Sequence, residues 1–183
     1  MYSMFYNTIC LQLCSFLKCQ VSETTDPARL EYIRSRRFAI ARHVATLFAM
    51  HRRQWGIERM HPSGIQCVAV SCFALFEGLD RPENGDALIT LCYVARDLGR
   101  HFVLAWGVLW MIQFFARQMN IELPEEIDAL FQEFEASGWM AEDPIQFNSL
   151  YLNAMDQFLQ KGDPGSIEYE PQDEKYRPDW NHL

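Results

Sequence analysis

The chain has 183 residues, of which 49% are hydrophobic and 22% are charged, and its formal net charge is −8. This length favours a single domain, and the composition lies in the ordinary globular range, which excludes general disorder. The charge is uneven, because residues 1–59 carry nine Lys and Arg against four acids and residues 121–183 carry three against fifteen. Such asymmetry fits a nucleic-acid face, an acidic interaction tail, or a contribution to solubility alone.

Residues 1–20 are apolar from the start, and the spacing of Ile9, Leu13, Phe16 and Leu17 predicts a helix that packs on something. An apolar segment at the first residue is expected where a larger protein has been truncated. No positive residue precedes the short apolar run and no A-x-A-like site follows it, so we predict no secretory signal. Residues 21–26 form a polar loop.

A long helix is predicted from Asp26-Pro27 to about Trp55. Asp26 is a capping residue, Pro27 suits the first helical position, and Gly56 is a stop signal. The apolar positions recur at helical spacing and form the predicted buried stripe: Leu30, Ile33, Ile40, Ala41, Val44, Leu47 and Phe48.

Two shorter helices should follow. One starts near His61-Pro62, and its inward residues are Ile65, Val68, Cys72, Leu75, Phe76 and Leu79. Gly78 and residues 80–85 have turn composition. The next helix starts at about Asp86 and is broken at residues 99–101, with an inward stripe of Leu88, Leu91, Cys92, Ala95 and Leu98.

The stretch 102–119 is the most apolar of the chain. Residues 102–116 carry no charge, and only Gly107 and Gln113 interrupt the run. A helix that is apolar all round is expected to be buried, and this run is too short for a membrane span of about 20 residues. We predict a central buried helix whose largest packing groups are Trp106, Trp110, Phe114 and Phe115.

Two further helix starts follow, at residues 123–126 and at Asp143-Pro144. The first helix should pack Ile127, Leu130, Phe131 and Phe134 inward and end at residues 137–138. From Asp163 the chain is polar and contains prolines. The sequence therefore predicts an all-α fold with a single domain of six to seven helices around a buried central helix, over residues 1–162, and an acidic flexible tail, 163–183.

The six cysteines do not predict a metal site. Cys10, Cys14 and Cys19 lack a second ligand pair or a flanking histidine, and the spacing from Cys67 to Cys72 is C-x4-C. Five of the six lie in apolar helical patterns, where a free thiol behaves as a small hydrophobe. We predict core thiols without disulfides, as in a reducing compartment, and no metal and no cofactor.

No catalytic residues can be assigned. The histidines, His43, His51, His61, His101 and His182, form no H-E-x-x-H and no deaminase motif. No G-x-S-x-G and no glycine-rich phosphate loop occurs. The acidic pairs at 125/126 and 133/135 have the spacing of helix-surface charges. We predict that the chain is not an enzyme.

Eight arginines between residues 29 and 59 are the feature most suggestive of nucleic acid: Arg29, Arg34, Arg36, Arg37, Arg42, Arg52, Arg53 and Arg59. They surround the helix and carry no base-reading motif or aromatic platform. A solvated face, or pairing with the acidic C-terminal half, is the favoured interpretation. The acids around Tyr169, Tyr176 and Trp180 suit either an activation segment or a solubilising tail.

Residues 61–135 carry a resemblance. Their sequence is HPSGIQCVAVSCFALFEGLD, then a short turn with Pro82 and Gly85, and then ALITLCYVARDLGRHFVLAWGVLWMIQFFARQMNIELPEEIDALFQEFE. This stretch resembles the regulatory (middle homology) domain of fungal zinc-binuclear-cluster transcription factors. Residues 28–55 are similar to the long helix that precedes it, and the resemblance covers about residues 1–160. The family's C-x2-C-x6-C zinc cluster, basic linker and coiled coil are missing.

The resemblance implies a nuclear regulatory domain that controls transcription through a small-molecule effector or protein partners. DNA would be bound only through a zinc-cluster module not present here, so the chain looks like a C-terminal fragment or a truncated gene product. Two alternatives stay open. One is an all-α small-ligand binder with a pocket near Trp106 and Trp110, and the other is a dimerisation module in which apolar residues 1–20 form the interface of a homodimer.

Overall fold

The computed structural model describes residues 2–20, 26–118 and 120–136. Within these ranges it has helices and no strand, which confirms the predicted all-α fold. The helices are α1 Tyr2–Gln20, α2 Pro27–Trp55, α3 Gly64–Phe76, α4 Pro82–Gly99, α5 Val103–Gln118 and α6 Glu125–Ala136. The helix predicted after Asp143, the domain boundary at 162 and the acidic tail lie outside the described residues. Among the residues described, no helix combines the length and hydropathy that a membrane crossing requires.

Helix α2 begins and ends where local sequence signals predict. The Asp26 carboxylate accepts a hydrogen bond from the Arg29 amide at 3.0 Å, and Pro27 opens the first turn. At the other end Gly56 has φ 78°, a conformation that glycine adopts without a steric penalty. The predicted stripe is buried at Leu30, Ile33, Ala41, Val44 and Phe48 and half-buried at Ile40 and Leu47. This helix packs against α1, α3 and α4.

Helix α3 is the most enclosed element among the described residues. Eleven of its 13 residues are buried, and it packs against α1, α2, α4 and α5. It carries no Asp, Glu, Lys or Arg, and Ala69, Ser71 and Ala74 are small enough for neighbouring helices to approach closely. The sequence GIQCVAVSCFALF is thus uncharged, with Gln66 and Ser71 as its polar side chains, and it has no wide polar face to leave in solvent.

Helix α5 confirms the predicted helix but not the prediction that it is buried all round. Its inner face includes Val108, Leu109 and Ile112, yet Val103 is 64% exposed and Phe114 is 38% exposed. Of the four predicted packing groups, only Phe115 is buried, while Trp106 and Trp110 are half-buried. The physical reason is position: α5 packs mainly on α4 and, less, on α3, so the described helices cover only part of its circumference.

Helix α4 starts earlier than its turn-like sequence suggests. Residues 80–85 were expected to form a turn before Asp86, but the helix begins at Pro82. Proline suits the first position of a helix, and the residue before it, Arg81, is extended with φ −99° and ψ 118°. The predicted inward residues of this helix are all buried: Leu88, Leu91, Cys92, Ala95 and Leu98.

The last described helix closes one side of the core. In α6, Ile127, Leu130 and Phe131 are buried as predicted, and the helix packs against α4. The side chain of Phe134 lies outside the described residues. Asn120, in the connection before α6, has φ 51°, a left-handed conformation that asparagine tolerates better than most residues.

The close approach of α4 and α5 depends on a glycine, which allows a test. A Cβ added at Gly99 would lie 2.6 Å from Cε2 of Trp106, whereas one at Gly85 would meet only Pro124 at 3.8 Å. We expect Gly99→Ala to lower the free energy of unfolding by about 1–3 kcal/mol through overpacking. Gly85→Ala, the matched control, should leave it unchanged or raise it by about 0.5–1 kcal/mol. Urea denaturation followed by circular dichroism measures both, and equal effects would contradict this account of the α4–α5 contact.

Candidate functional site

The histidines do not come together. His43, His61 and His101 are exposed, and His182 lies outside the described residues. The His51 ring is half-buried with its centroid 5.1 Å from that of Trp55, and burial lowers the pKa of His51. Within residues 2–20, 26–118 and 120–136, no three His, Cys, Asp or Glu side chains are arranged to bind a metal ion.

The cysteines divide into two groups. Cys67, Cys72 and Cys92 are buried free thiols, as predicted, but Cys10 and Cys14 are half-buried and Cys19 is exposed. The core prediction is therefore wrong for the three thiols of α1, because none of them is fully buried by the helices packed against α1. Burial raises the pKa of Cys72 well above its usual value, and its contact with Cys92 across the α3–α4 interface raises the pKa further.

The arginines of residues 29–59 divide between exposed positions and positions that pair within the protein. Arg29, Arg36, Arg53 and Arg59 are exposed, but three others reach side chains of the α3 and α4 region. Arg37 pairs with Glu77, Arg42 with Asn84, and Arg52 with Asp97. These partners lie in the middle of the chain, whereas most of the acidic C-terminal half with which pairing was predicted lies outside the described residues. Glu125 and Glu126 are exposed at the start of α6, as expected for helix-surface charges.

Arg37 is the most buried charged residue among those that the structure describes, and it belongs to an ionic cluster with Lys18 and Glu77. The Glu77 carboxylate lies 2.5 Å from Lys18 Nζ on α1 and 3.0 Å from Arg37 Nη1 on α2. Glu77 itself follows the last residue of α3, so the cluster joins three helices. The Arg37 residue is only 3% exposed. The contact of Arg37 Nη1 with Glu77 is an ion pair and not a hydrogen bond. Arg37 Nε has no hydrogen-bond partner among the described residues.

The pKa of Glu77 reports the balance of forces in this cluster. Burial alone would raise that pKa, but the positive charges of Arg37 and Lys18 outweigh burial, and the net pKa is lowered. Glu77 was missed in the sequence. Its signal was available, because it is the only Asp, Glu, Lys or Arg between Arg59 and Asp80 and it stands at a helix C-terminus, where a negative charge needs compensation.

Two further polar contacts connect α2 to α4. The Asn84 side chain is fully buried; its Oδ1 accepts a hydrogen bond from Arg42 Nη1 at 2.7 Å, and its Nδ2 donates one to the Gly78 carbonyl at 2.7 Å. Nearer the end of α4, Asp97 lies 2.7 Å from Arg52 Nη2 and 3.0 Å from Arg96 Nη2. Buried polar groups of this kind need partners, and here they fix α4 on α2 at two levels.

A groove runs between α2 and α4 from one of these contacts to the other, and we call it the α2–α4 groove. One part, of about 430 Å³, is lined by Ala49, Arg52, Arg53, Ile89, Thr90, Tyr93 and Val94. The other part, of about 320 Å³, is lined by Arg42, Ala45, Thr46, Ala49, Glu83, Asp86, Ala87 and Thr90. The two parts share Ala49 and Thr90, so they form one continuous surface of the size that small-molecule sites have.

The chemistry of the α2–α4 groove differs between its ends. Its floor is made of small or apolar side chains, including Ala45, Ala49 and Val94. One end is lined by Arg52, Arg53 and Tyr93, and the other by Arg42, Glu83 and Asp86. At the first end Arg52 is paired with Asp97, and the Arg96 guanidinium lies over the Tyr93 ring. An anionic group with an apolar body suits the arginine end, since guanidinium groups bind carboxylate and phosphate in bidentate geometry.

Another cavity and an aromatic pair lie away from the α2–α4 groove. A cavity of about 490 Å³ between α5 and α6 is lined by Gln113, Arg117, Asn120, Asp128 and neighbouring residues. Trp106 and Trp110, where a ligand pocket was predicted, line neither this cavity nor the α2–α4 groove. Trp106 packs over Gly99, and Trp110 stacks on Phe114 with ring centroids 5.4 Å apart. Their large apolar surfaces contribute to packing.

A known protein shares a stretch of this sequence. Over 91 residues the chain is 37% identical to the notoamide biosynthesis transcriptional activator notL' of Aspergillus versicolor. The stretch covers 50% of this chain and 15% of the length of the activator. No family model matches the chain, and no solved structure matches it either. The chain is therefore related in sequence to part of a fungal transcriptional activator.

The ionic cluster predicts a specific dependence of stability on pH. At neutral pH, Glu77→Gln should lower the free energy of unfolding by about 3 kcal/mol, because Arg37 then stays buried without a counter-charge. Since the folded pKa of Glu77 is lowered, its contribution is complete above the unfolded value of 4.5 and is lost as the pH falls through the folded pKa. The gap between wild type and variant should thus narrow in acid.

The matched control is the same substitution in an exposed pair. Glu31 lies 2.9 Å from Arg81 at the surface, so Glu31→Gln should change stability by less than about 1 kcal/mol. Both series are measured by denaturant unfolding between neutral and acidic pH. A loss at Glu77 no larger than that at Glu31 would show that the cluster does not stabilise the fold.

Proposed function

We propose that this chain is a helical regulatory domain of a fungal transcription factor, which acts in the nucleus. It would control transcription by binding a small-molecule effector or a protein partner, while DNA is contacted by a module carried outside this helical domain. The observation that supports the proposal is the 37% identity over 91 residues with a fungal transcriptional activator. The sequence resemblance over residues 61–135 points the same way.

The proposed role is binding and not catalysis. The sequence offers no nucleophile motif and no phosphate loop, and the polar side chains that the fold brings together serve to pair helices. Lys18, Arg37 and Glu77 are used to join α1, α2 and α3. An effector can change activity only if it binds two arrangements of the protein with different affinity. Directional contacts between helices make such arrangements distinct.

We assign the effector to the arginine end of the α2–α4 groove. This part of the groove has a volume of about 430 Å³ and is lined by small and apolar side chains together with Arg52, Arg53 and Tyr93. Arg52 is paired with Asp97, so Arg53 is the arginine that we assign to the ligand. These features favour an effector that joins a carboxylate or phosphate group to an apolar or aromatic body. A ligand lying there touches both α2 and α4, so it would bias the relative position of these helices.

The transcriptional part of the proposal is tested with the whole chain. Fused to an unrelated DNA-binding domain in a filamentous fungus, residues 1–183 should change expression of a reporter relative to the DNA-binding domain alone. Glu77→Gln, which loosens the ionic cluster, should change that response, whereas Glu31→Gln should not. The purified chain should bind neither two zinc ions nor a specific DNA sequence. Stoichiometric zinc, sequence-specific DNA binding, or a reporter that ignores the fusion would each refute the proposal.

The groove is tested separately by ligand-dependent stabilisation. Aromatic carboxylic acids at millimolar concentration should raise the melting temperature of the chain, because a ligand at 100 times its Kd adds about 2.7 kcal/mol to the stability of the folded state. Arg53→Ala should abolish the shift. Arg59→Ala removes a similarly exposed arginine that does not line the groove and should leave the shift intact. If binding occurs without any effect on the reporter, the alternative of an all-α ligand-binding module without a transcriptional role is favoured.

A further inference from the structure

Helix α1 has an exposed apolar face as well as a buried one. Tyr2 is 93% exposed, Tyr6 69%, Ile9 56%, Leu13 57% and Phe16 59%. On the opposite side, Met4 and Leu11 are buried against the rest of the domain. Large apolar residues scattered singly over a surface are ordinary, whereas a continuous row marks an interaction surface.

The exposed residues follow the spacing of a coiled coil. Tyr2, Tyr6, Ile9, Leu13 and Phe16 are separated by steps of four and three residues, and the next step reaches Gln20. These are the a and d positions of a heptad repeat, which lie along one line of a helix and face a partner helix. Met4, Leu11 and Lys18 are seven residues apart and occupy the opposite side. We call the exposed row, from Tyr2 to Phe16, the α1 seam.

The area of the α1 seam matches what a specific complex requires. A large apolar side chain offers roughly 200 Å², so the exposed fractions of the seam together with Leu17 leave on the order of 700 Å². Stable interfaces bury about 800 Å² on each partner. The seam thus supplies most of a standard interface before any contribution from neighbouring residues of α2.

The charge distribution shows which partner fits. Lys18 is the only charged side chain of α1, and it points inward to Glu77. The seam itself contains no charge, so two copies of it can meet without burying an ion or bringing like charges together. A surface that is apolar along its whole length and aromatic at several positions is complementary to itself.

We propose that the α1 seam pairs with the α1 seam of a second copy of this chain, with the two helices antiparallel about a two-fold axis. With the axis level with Leu11, Ile9 packs opposite Leu13 of the second copy, and Tyr6 opposite Phe16. Tyr2 then meets Gln20, whose amide can hydrogen-bond the phenol at the rim. Antiparallel pairing also aligns the helix dipoles favourably.

The cysteines of α1 distinguish this arrangement from a parallel one. Cys10 flanks the seam next to Ile9, so in the antiparallel pair the two copies of Cys10 lie on the same flank close to the two-fold axis. Cys19 flanks the other end, level with the start of the partner helix, and the two copies of Cys19 are separated by about 24 Å along the axis. In a parallel pair both cysteines would stand at the same level as their counterparts.

The first experiment measures mass in solution. By sedimentation equilibrium the full chain should be a dimer of twice 21.4 kDa at micromolar concentration. Leu13→Glu should raise the dimer dissociation constant at least about 100-fold, because each copy brings a carboxylate into the apolar seam. Met50→Glu is the matched control, since Met50 is 51% exposed on α2, and it should leave the constant unchanged. Circular dichroism checks that both variants fold.

The second experiment fixes the orientation. A short bismaleimide should cross-link the chain that keeps Cys10 but carries Cys14→Ser and Cys19→Ser, and it should not cross-link the chain that keeps only Cys19 on α1. Equal cross-linking of both would establish a parallel pair and overturn the proposed geometry. A folded wild type that stays monomeric, as it would if another segment or another protein covers the seam, overturns the dimer itself, as does a dimer that survives Leu13→Glu. None of these outcomes bears on the transcriptional proposal.

Discussion

The ionised carboxylate of Glu77 is the constraint on which the arrangement of the first three helices depends. It stands at the C-terminal end of α3, where the helix dipole disfavours a negative charge. Lys18 and Arg37 compensate it from two other helices. Apolar contacts are not directional and permit helices to slide, whereas this contact can form in only one register. Because Arg37 is buried, α2 cannot shift along α3 without leaving a charge unpaired.

The same logic extends along α2. Arg42 and Arg52 reach Asn84 and Asp97 on α4, and the α2–α4 groove runs between these two contacts. Helix α2 is basic in sequence, but three of its arginines therefore pair with side chains of neighbouring helices. Asn84 also donates a hydrogen bond to the Gly78 carbonyl, so the contact between α2 and α4 is connected to the turn that follows Glu77.

Much of the fold could be predicted, because helix type and the buried stripes follow from local spacing and from caps such as Asp26. The predictions were wrong where contacts between residues distant in the sequence determine the structure. The buried state of Arg37 depends on Glu77, and the early start of α4 is stabilised by the contacts of Asn84 with Arg42 and Gly78. The apolar sequence of α5 could not reveal that only part of it is covered. The groove could not be predicted from the sequence, since the side chains that line it form no recognisable motif within either helix.

The buried thiols can report how often the core of the domain opens. Cys72 and Cys92 are fully buried at the α3–α4 interface, and burial raises the pKa of Cys72 well above its usual value. Because only an accessible thiolate is alkylated at an appreciable rate, these two positions react only when the helices part. Their modification kinetics in native buffer therefore count the openings of the domain interior, residue by residue, and Cys19 on the surface supplies the unprotected rate for comparison.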